Sequence, residues 1–257
     1  DCTIMKTVIV TGGTSGIGLN LAEYFYNRNF NISLAGKCNL GLLKKLKKKF
    51  NIKKSLIFNL DLTKKKNIIK FVTNTRKKFR KIDVLINCAG LQHVSPVCNF
   101  SDKMWENIIN INLNTPFKII KEVLPIMRKN KWGRIINISS AHGIVASQNK
   151  SGYVSSKHGL VGLTKVIALE TAKENITCNA IGPGFVDTEL VQKQIRKMSY
   201  KKKISLKKAQ NSLLDKHASS DFVKKEDVSS LAYYLTTNQA SQITGSNLII
   251  DGGWTAQ

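Results

Sequence analysis

Seven short runs of apolar, largely β-branched residues recur along the chain, and the segments between them carry apolar residues at helical spacing. The runs are "KTVIVTG", "NISLAG", "SLIFNLDL", "DVLINCAG", "GRIINIS", "ITCNAIGPG" and "SNLIIDGG". They are nearly continuous in apolar character, as befits strands covered on both faces. Stretches such as "GIGLNLAEYFYNR", "LGLLKKLKKKF" and "FKIIKEVLPIMRKN" read as the amphipathic helices that cover them. Repeated strand–helix units of this kind build a parallel sheet between two helical layers. Right-handed crossovers then make it doubly wound, a Rossmann-like α/β fold. No linker rich in Pro, Gly or Ser divides the 257 residues, so residues 1–257 read as one domain.

Such a sheet binds ligands beyond the carboxyl ends of its strands. The segments richest in glycine and polar residues all fall there: "TGGTSGIG", "LDL", "NCAG", "SSAHG" and "GPGFVDT". In "TGGTSGIG", Gly12 permits a tight turn, Gly16 lets a pyrophosphate approach the backbone, and Gly18 lets the next helix pack closely. The start of that helix offers free N–H groups to phosphate. Tyr153 and Lys157, four residues apart, share one face of a helix that begins shortly after Ser140. A phenol titrates near 10, and a nearby ammonium favours its anion. A tyrosine tuned in this way can exchange a proton with a carbinol oxygen, to which Ser140 can also donate a hydrogen bond.

Thr-Gly-x-x-x-Gly-Ile-Gly, "NCAG" (87–90), Asn112, Ser140, Tyr153-x-x-x-Lys157 and Pro183-Gly184 occur in an order and spacing that resemble the short-chain dehydrogenase/reductase family over essentially the whole chain. The resemblance implies a catalytic tetrad of Asn112, Ser140, Tyr153 and Lys157. Tyr153 would be the acid/base, Ser140 would polarise the substrate oxygen, Lys157 would bind the nicotinamide ribose and lower the tyrosine's pKa, and Asn112 would hold a relay water. It implies a dinucleotide against Gly12, Thr14, Ser15, Gly16, Ile17, Gly18, Gly36, Lys37, Asp61, Leu62, Asn87, Ala89, Gly90, Tyr153, Lys157, Pro183, Gly184 and Val186.

Within that family, "GLQHVSP", "WGRIINISSAHGIVAS", "NKSGYVSSKHG", "LVQKQI" and "QITGSNLIIDGGWTAQ" are similar to the bacterial-type D-3-hydroxybutyrate dehydrogenases. What this implies is NAD as cofactor, a homotetramer, and a small anionic substrate, (R)-3-hydroxybutyrate or acetoacetate. The substrate would be held by Gln92, Ser140, His142, Lys150, Tyr153 and Gln194. A short hydroxy acid has little apolar surface, so charge and hydrogen bonds on its carboxylate must orient it. Taken singly, His142 could be a loop histidine bonded to backbone and Lys150 a surface lysine. Trp254 either closes the pocket or packs the carboxyl terminus against a neighbouring subunit. Residues 187–217, with Leu190, Gln194 and Met198 along one face, read as a helical lid. Alternatives to this function are a 3-oxoacyl thioester reductase, another dehydrogenase of the family, or a basic nucleotide- or RNA-binding protein.

The second strand ends at Ala35, Gly36 and Lys37, with none of the acidic residues that often bind the adenosine ribose of NAD. Lys37 could therefore attract the extra phosphate of NADP. Against this, a lone lysine is a weaker phosphate clamp than arginine, and the dehydrogenases it resembles also lack the acid. NAD preferred over NADP is the expectation.

The formal net charge is +25, concentrated in lysines of 37–81 and 193–208. It is read as a solvated surface that steers anions. Nucleic-acid binding is not expected, because the lysines lack interleaved aromatics and no such motif is present. Five cysteines, at 2, 38, 88, 98 and 178, show no CxxC or Cys/His spacing, so neither a disulfide framework nor a metal site is expected. No apolar run reaches membrane-spanning length. With a β-rich run from Thr7, no leader is read at the start, and a cytoplasmic enzyme is expected, with a removed organelle-targeting leader left open.

Overall fold

The computed structural model describes residues 5–256; Cys2 lies outside them. The seven apolar runs form strands β1 (Thr7–Thr11), β2 (Asn31–Gly36), β3 (Ser55–Asn59), β4 (Val84–Asn87), β5 (Gly133–Ile138), β6 (Ile176–Pro183) and β7 (Asn247–Ile250). All pairings are parallel, in the order β3-β2-β1-β4-β5-β6-β7. The chain builds outward from β1 to β3, then crosses back to place β4 on the other side of β1. The carboxyl ends of β1 and β4 therefore flank a crevice.

Helices α1 (Gly16–Tyr26), α2 (Leu40–Lys49), α3 (Lys65–Phe79), α4 (Asp102–Ile109), α5 (Thr115–Asn130), α6 (Ser151–Thr171), α7 (Glu189–Lys202), α8 (Leu206–Leu214) and α9 (Lys225–Tyr234) complete the chain. The two-residue strand period sorts the core. Val8, Val10, Ile32, Leu34, Val84 and Ile86 pack on one face with Leu21 and Phe25 of α1 and Val228 of α9. Ile9, Leu85 and Ile135 turn to the other face, against Ile68 and Phe71 of α3, Ile119 and Val123 of α5 and Ile167 of α6. Each face removes its apolar side chains from water, which fixes strand register as well as burial.

The segment expected to be one lid is two helices. Its break is Lys203, which sits in the left-handed region at φ 52 and ends α7. Ser205 then caps α8, accepting from Lys208 N at 3.2 Å. The buried stripe of the segment is Val191, Ile195, Ala209, Leu213 and Leu214, a small third core with Ala141, Phe185 and Trp254. Met198 packs against this core from the edge, whereas Leu190 is exposed at the cleft rim. Among the described residues no helix is long and apolar enough to cross a membrane.

Candidate active site

The carboxyl ends of β1, β4, β5 and β6 open into one cleft of about 360 Å³. At its β1 side Gly12 has φ 67, and a Cβ there would lie 2.8 Å from Cα of Ala89. A Cβ on Gly18 would overlap the carbonyl oxygen of Gly12. Both glycines let backbone meet backbone. Gly16 differs: at φ 53 its nearest side-chain atom is 3.7 Å away, on Thr188, so its absent Cβ keeps the mouth open. Ser15 makes no side-chain cap on α1. Gly16, Ile17 and Gly18 of its first turn line the cleft at the positive end of the helix dipole. These residues fit the pyrophosphate of a dinucleotide. Thr11 Oγ1 ties β1 to the "NCAG" loop by accepting from Cys88 N and Ala89 N at 3.0 and 3.1 Å, which places Ala89 and Gly90 in the cleft wall.

At the expected adenosine end, Gly36 is pressed against Thr14: a Cβ would lie 2.7 Å from Thr14 Oγ1. Lys37 is not an unpaired phosphate attractor, because its Nζ lies 3.0 Å from Asp61. A hydrogen bond from the Thr63 hydroxyl, with the Lys37 ammonium adding to it, pulls the Asp61 carboxyl down to about 2. Leu62 is buried and offers its carbonyl to Thr115 Oγ1 at 3.2 Å. Asn87 is also buried; its Nδ2 donates to Asn137 Oδ1 at 2.8 Å, and Asn137 in turn donates to Thr164 Oγ1 at 2.9 Å. Asn87 therefore locks β4 to β5 and α6 behind the cleft and is not in its lining.

Ser140, Tyr153 and Lys157 line the cleft together, with Pro183, Gly184 and Val186 opposite. Lys157 Nζ donates to the Ile138 carbonyl at 2.7 Å and lies 5.6 Å from the centroid of the Tyr153 ring. Burial brings this lysine down to about 8, with the neighbouring Cys88 thiol acting the other way. In the protein alone the Tyr153 phenol stands above its ordinary value. Burial raises the phenol, and it is the Ser140 hydrogen bond that opposes this.

Asn112 is not among the residues that line the cleft. It lies in a π-helical turn, Asn110–Asn114, between α4 and α5. Its Oδ1 accepts from Leu91 N at 2.8 Å, while its Nδ2 donates to Leu91 O at 3.0 Å and to Ser156 Oγ at 2.9 Å. Both amide hydrogens are used, so the side chain clamps the loop that carries Leu91 and Gln92 and does not line the cleft.

Four of the residues expected to hold a carboxylate, Gln92, His142, Lys150 and Gln194, meet at the far end of the cleft with Trp254. Lys150 is buried at the start of α6, and burial, followed by the nearby charge of Lys216, brings its ammonium down to about 8. Gln92 on the β4 loop donates to Gln194 at 3.2 Å, bridging α7 to the sheet edge. Burial, then the charges of Lys150 and Lys216, bring His142 down to about 3, so its ring is neutral. Its ring nitrogens face Ser140 Oγ at 3.4 Å and Ser147 Oγ at 2.9 Å. The N–H expected for a carboxylate is thus spent within the protein. Trp254 is buried and forms part of the cleft wall.

Sequence reasoning missed Phe185. Its ring stacks on Trp254 at 5.1 Å and on His217 at 5.5 Å, while His217 Nε2 accepts the Phe185 N–H at 2.9 Å. The only signal was an aromatic directly after "GPG". Thr188 was missed as well; it caps α7 by accepting from Val191 N at 3.4 Å and stands at the cleft.

The family model for short chain dehydrogenase matches residues 6–199. The D-beta-hydroxybutyrate dehydrogenase of Rhizobium meliloti (strain 1021) is 40% identical over 256 residues, covering 98% of this chain and 99% of its own length. Among solved structures, a variant of actinorhodin polyketide ketoreductase with NADPH superposes with TM-score 0.92 at 28% identity, covering 98% of both chains. A 4-hydroxyisoleucine dehydrogenase complexed with NADH does so with TM-score 0.80 at 32% identity, covering 98% of this chain and 99% of its own.

Proposed function

Since the chain belongs to the short chain dehydrogenase family, we propose that it interconverts (R)-3-hydroxybutyrate and acetoacetate with NAD as cofactor. The observation that carries the substrate is the buried Lys150 at the end of the cleft that also holds Ser140 and Tyr153. A buried ammonium with no carboxylate partner among the described residues suits a substrate that brings one.

Each residue then has a role. Gly12, Gly16, Gly18 and the first turn of α1 hold the cofactor's pyrophosphate. Bound there, a nicotinamide dinucleotide supplies the hydride acceptor or donor. Lys150 binds the carboxylate, aided by amide donors from Gln92 and Gln194, which must exchange their mutual hydrogen bond for the substrate. Phe185 and Trp254 form an apolar wall that limits the chain length accepted. Ser140 donates a hydrogen bond to the reacting oxygen, and Tyr153 carries the proton to or from it. In reduction the raised phenol pKa keeps Tyr153 loaded with that proton. In oxidation the phenolate needs the positive charge of Lys157 and the Ser140 hydrogen bond.

The Lys37–Asp61 pair supports NAD over NADP. Asp61 cancels the lysine's attraction for a ribose phosphate and sets an ionised carboxylate nearby. The reading is tested by initial rates with (R)- and (S)-3-hydroxybutyrate and with a 3-oxoacyl thioester. The expected result is at least tenfold preference for the (R)-acid in kcat/KM. A larger kcat/KM for the thioester would transfer the protein to the rival reductase reading.

A further inference from the structure

We propose that Lys216 and Ser147, which lie outside the cleft lining, fix the tautomer of His142 and through it the direction of the hydrogen bond at Ser140. The four groups are contiguous. Lys216 Nζ lies 2.8 Å from Ser147 Oγ, Ser147 Oγ lies 2.9 Å from His142 Nε2, and His142 Nδ1 lies 3.4 Å from Ser140 Oγ. The His142 backbone N–H donates to the same Ser140 oxygen at 3.2 Å.

Directions follow from the donors available. An ammonium can only donate, so Ser147 accepts from Lys216. That leaves the Ser147 hydrogen directed to His142 Nε2, since among the described residues Ser147 Oγ has no third partner. An N–H at Nε2 would instead aim its positive end toward the Lys216 ammonium. The neutral ring then bears its single hydrogen on Nδ1. Nδ1–H donates to Ser140, which already accepts from the His142 backbone. With both acceptor sites filled, Ser140 keeps its own hydrogen for the reacting oxygen beside Tyr153. In the opposite tautomer a bare Nδ1 would draw the Ser140 hydrogen away from that oxygen. Lys216 and Ser147 are therefore positioning residues: neither touches substrate, and both act through His142.

The inference rests on the proposed role of Ser140, and its test is independent of turnover. The chain has four histidines. Ring-nitrogen NMR of protein labelled at histidine, with His142→Asn to identify the signals, reads the tautomer in the ligand-free enzyme. We expect a protonated Nδ1 and a bare Nε2. Ser147→Ala and Lys216→Met should both shift His142 toward the other tautomer, and Lys216→Arg should restore it. In the same variants kcat should fall about tenfold or more, a fraction of what loss of a polarising donor costs, with cofactor affinity unchanged. Ser147→Ala changes no charge, so its KM for the acid should hold. A protonated Nε2 in the parent, or a tautomer unmoved in both variants, would overturn the inference. If the parent fails to oxidise 3-hydroxybutyrate but shows the expected tautomer, the substrate assignment falls and this inference stands.

Discussion

Lys150→Met keeps most of the buried stem of the side chain and removes its charge. The ammonium lies in the wall of the cleft near the Phe185 ring, 5.6 Å from its centroid, and is almost wholly withdrawn from water. A carboxylate hydrogen-bonded to it would be held by about 1.5–3 kcal/mol net, the usual worth of a hydrogen bond to a charged group. At about 1.4 kcal/mol per tenfold, KM for (R)-3-hydroxybutyrate should rise about 10- to 150-fold. The bare Coulomb attraction, about 4 kcal/mol at 4 Å in an effective dielectric of 20, sets a ceiling. The methyl ester of the same acid carries no charge and should lose less than about threefold. Stability should move the other way. Burial already lowers the Lys150 pKa, so the folded chain bears a desolvated cation, and its removal should leave Tm unchanged or raised. The assay is a pair of KM measurements on parent and variant with a melting curve for each. Equal losses for acid and ester, or a Tm that falls by many degrees, would show that Lys150 holds the fold and that the carboxylate binds elsewhere.

Tyr153→Phe should lower kcat by more than about a thousandfold while cofactor binding, read by fluorescence titration, is kept. Lys150 is charged below about 8 and neutral above it, so binding of short carboxylates should weaken as pH rises through that value; Lys150→Arg, titrated the same way, should hold its affinity to higher pH. Asp61→Asn frees Lys37, an exposed lysine, so kcat/KM with NADP should rise relative to NAD by a few-fold, the scale of a surface ion pair. Gly12→Ala sets a Cβ against the Ala89 backbone at positive φ and should cost about 1–3 kcal/mol, visible as a lower urea midpoint.

The strands were legible because each is a short apolar run bounded by glycine or polar residues, and the pattern holds even for β7. Their spatial order was not, since an apolar run carries no record of its neighbour. The glycine turn was legible because its residues are contiguous and each answers one steric demand. Ser140, Tyr153 and Lys157 could be placed on one edge because one strand and the next helix carry them. Three features stayed hidden because they depend on contacts across long sequence separations. The stack of Phe185, His217 and Trp254 joins three segments. Asn112 looks inward, to Leu91 and Ser156, for reasons that only the π-helical turn supplies. The pairing of Lys37 with Asp61 was missed because the two were read as separate contacts to one ligand.

The most direct measurement mixes the purified protein with NAD and (R)-3-hydroxybutyrate, following NADH by absorbance and acetoacetate chemically. Both should appear, one for one, and Tyr153→Phe should abolish both. NADH formation that ignores the hydroxy acid, or none at all while a 3-oxoacyl thioester is reduced by the same preparation, would contradict it.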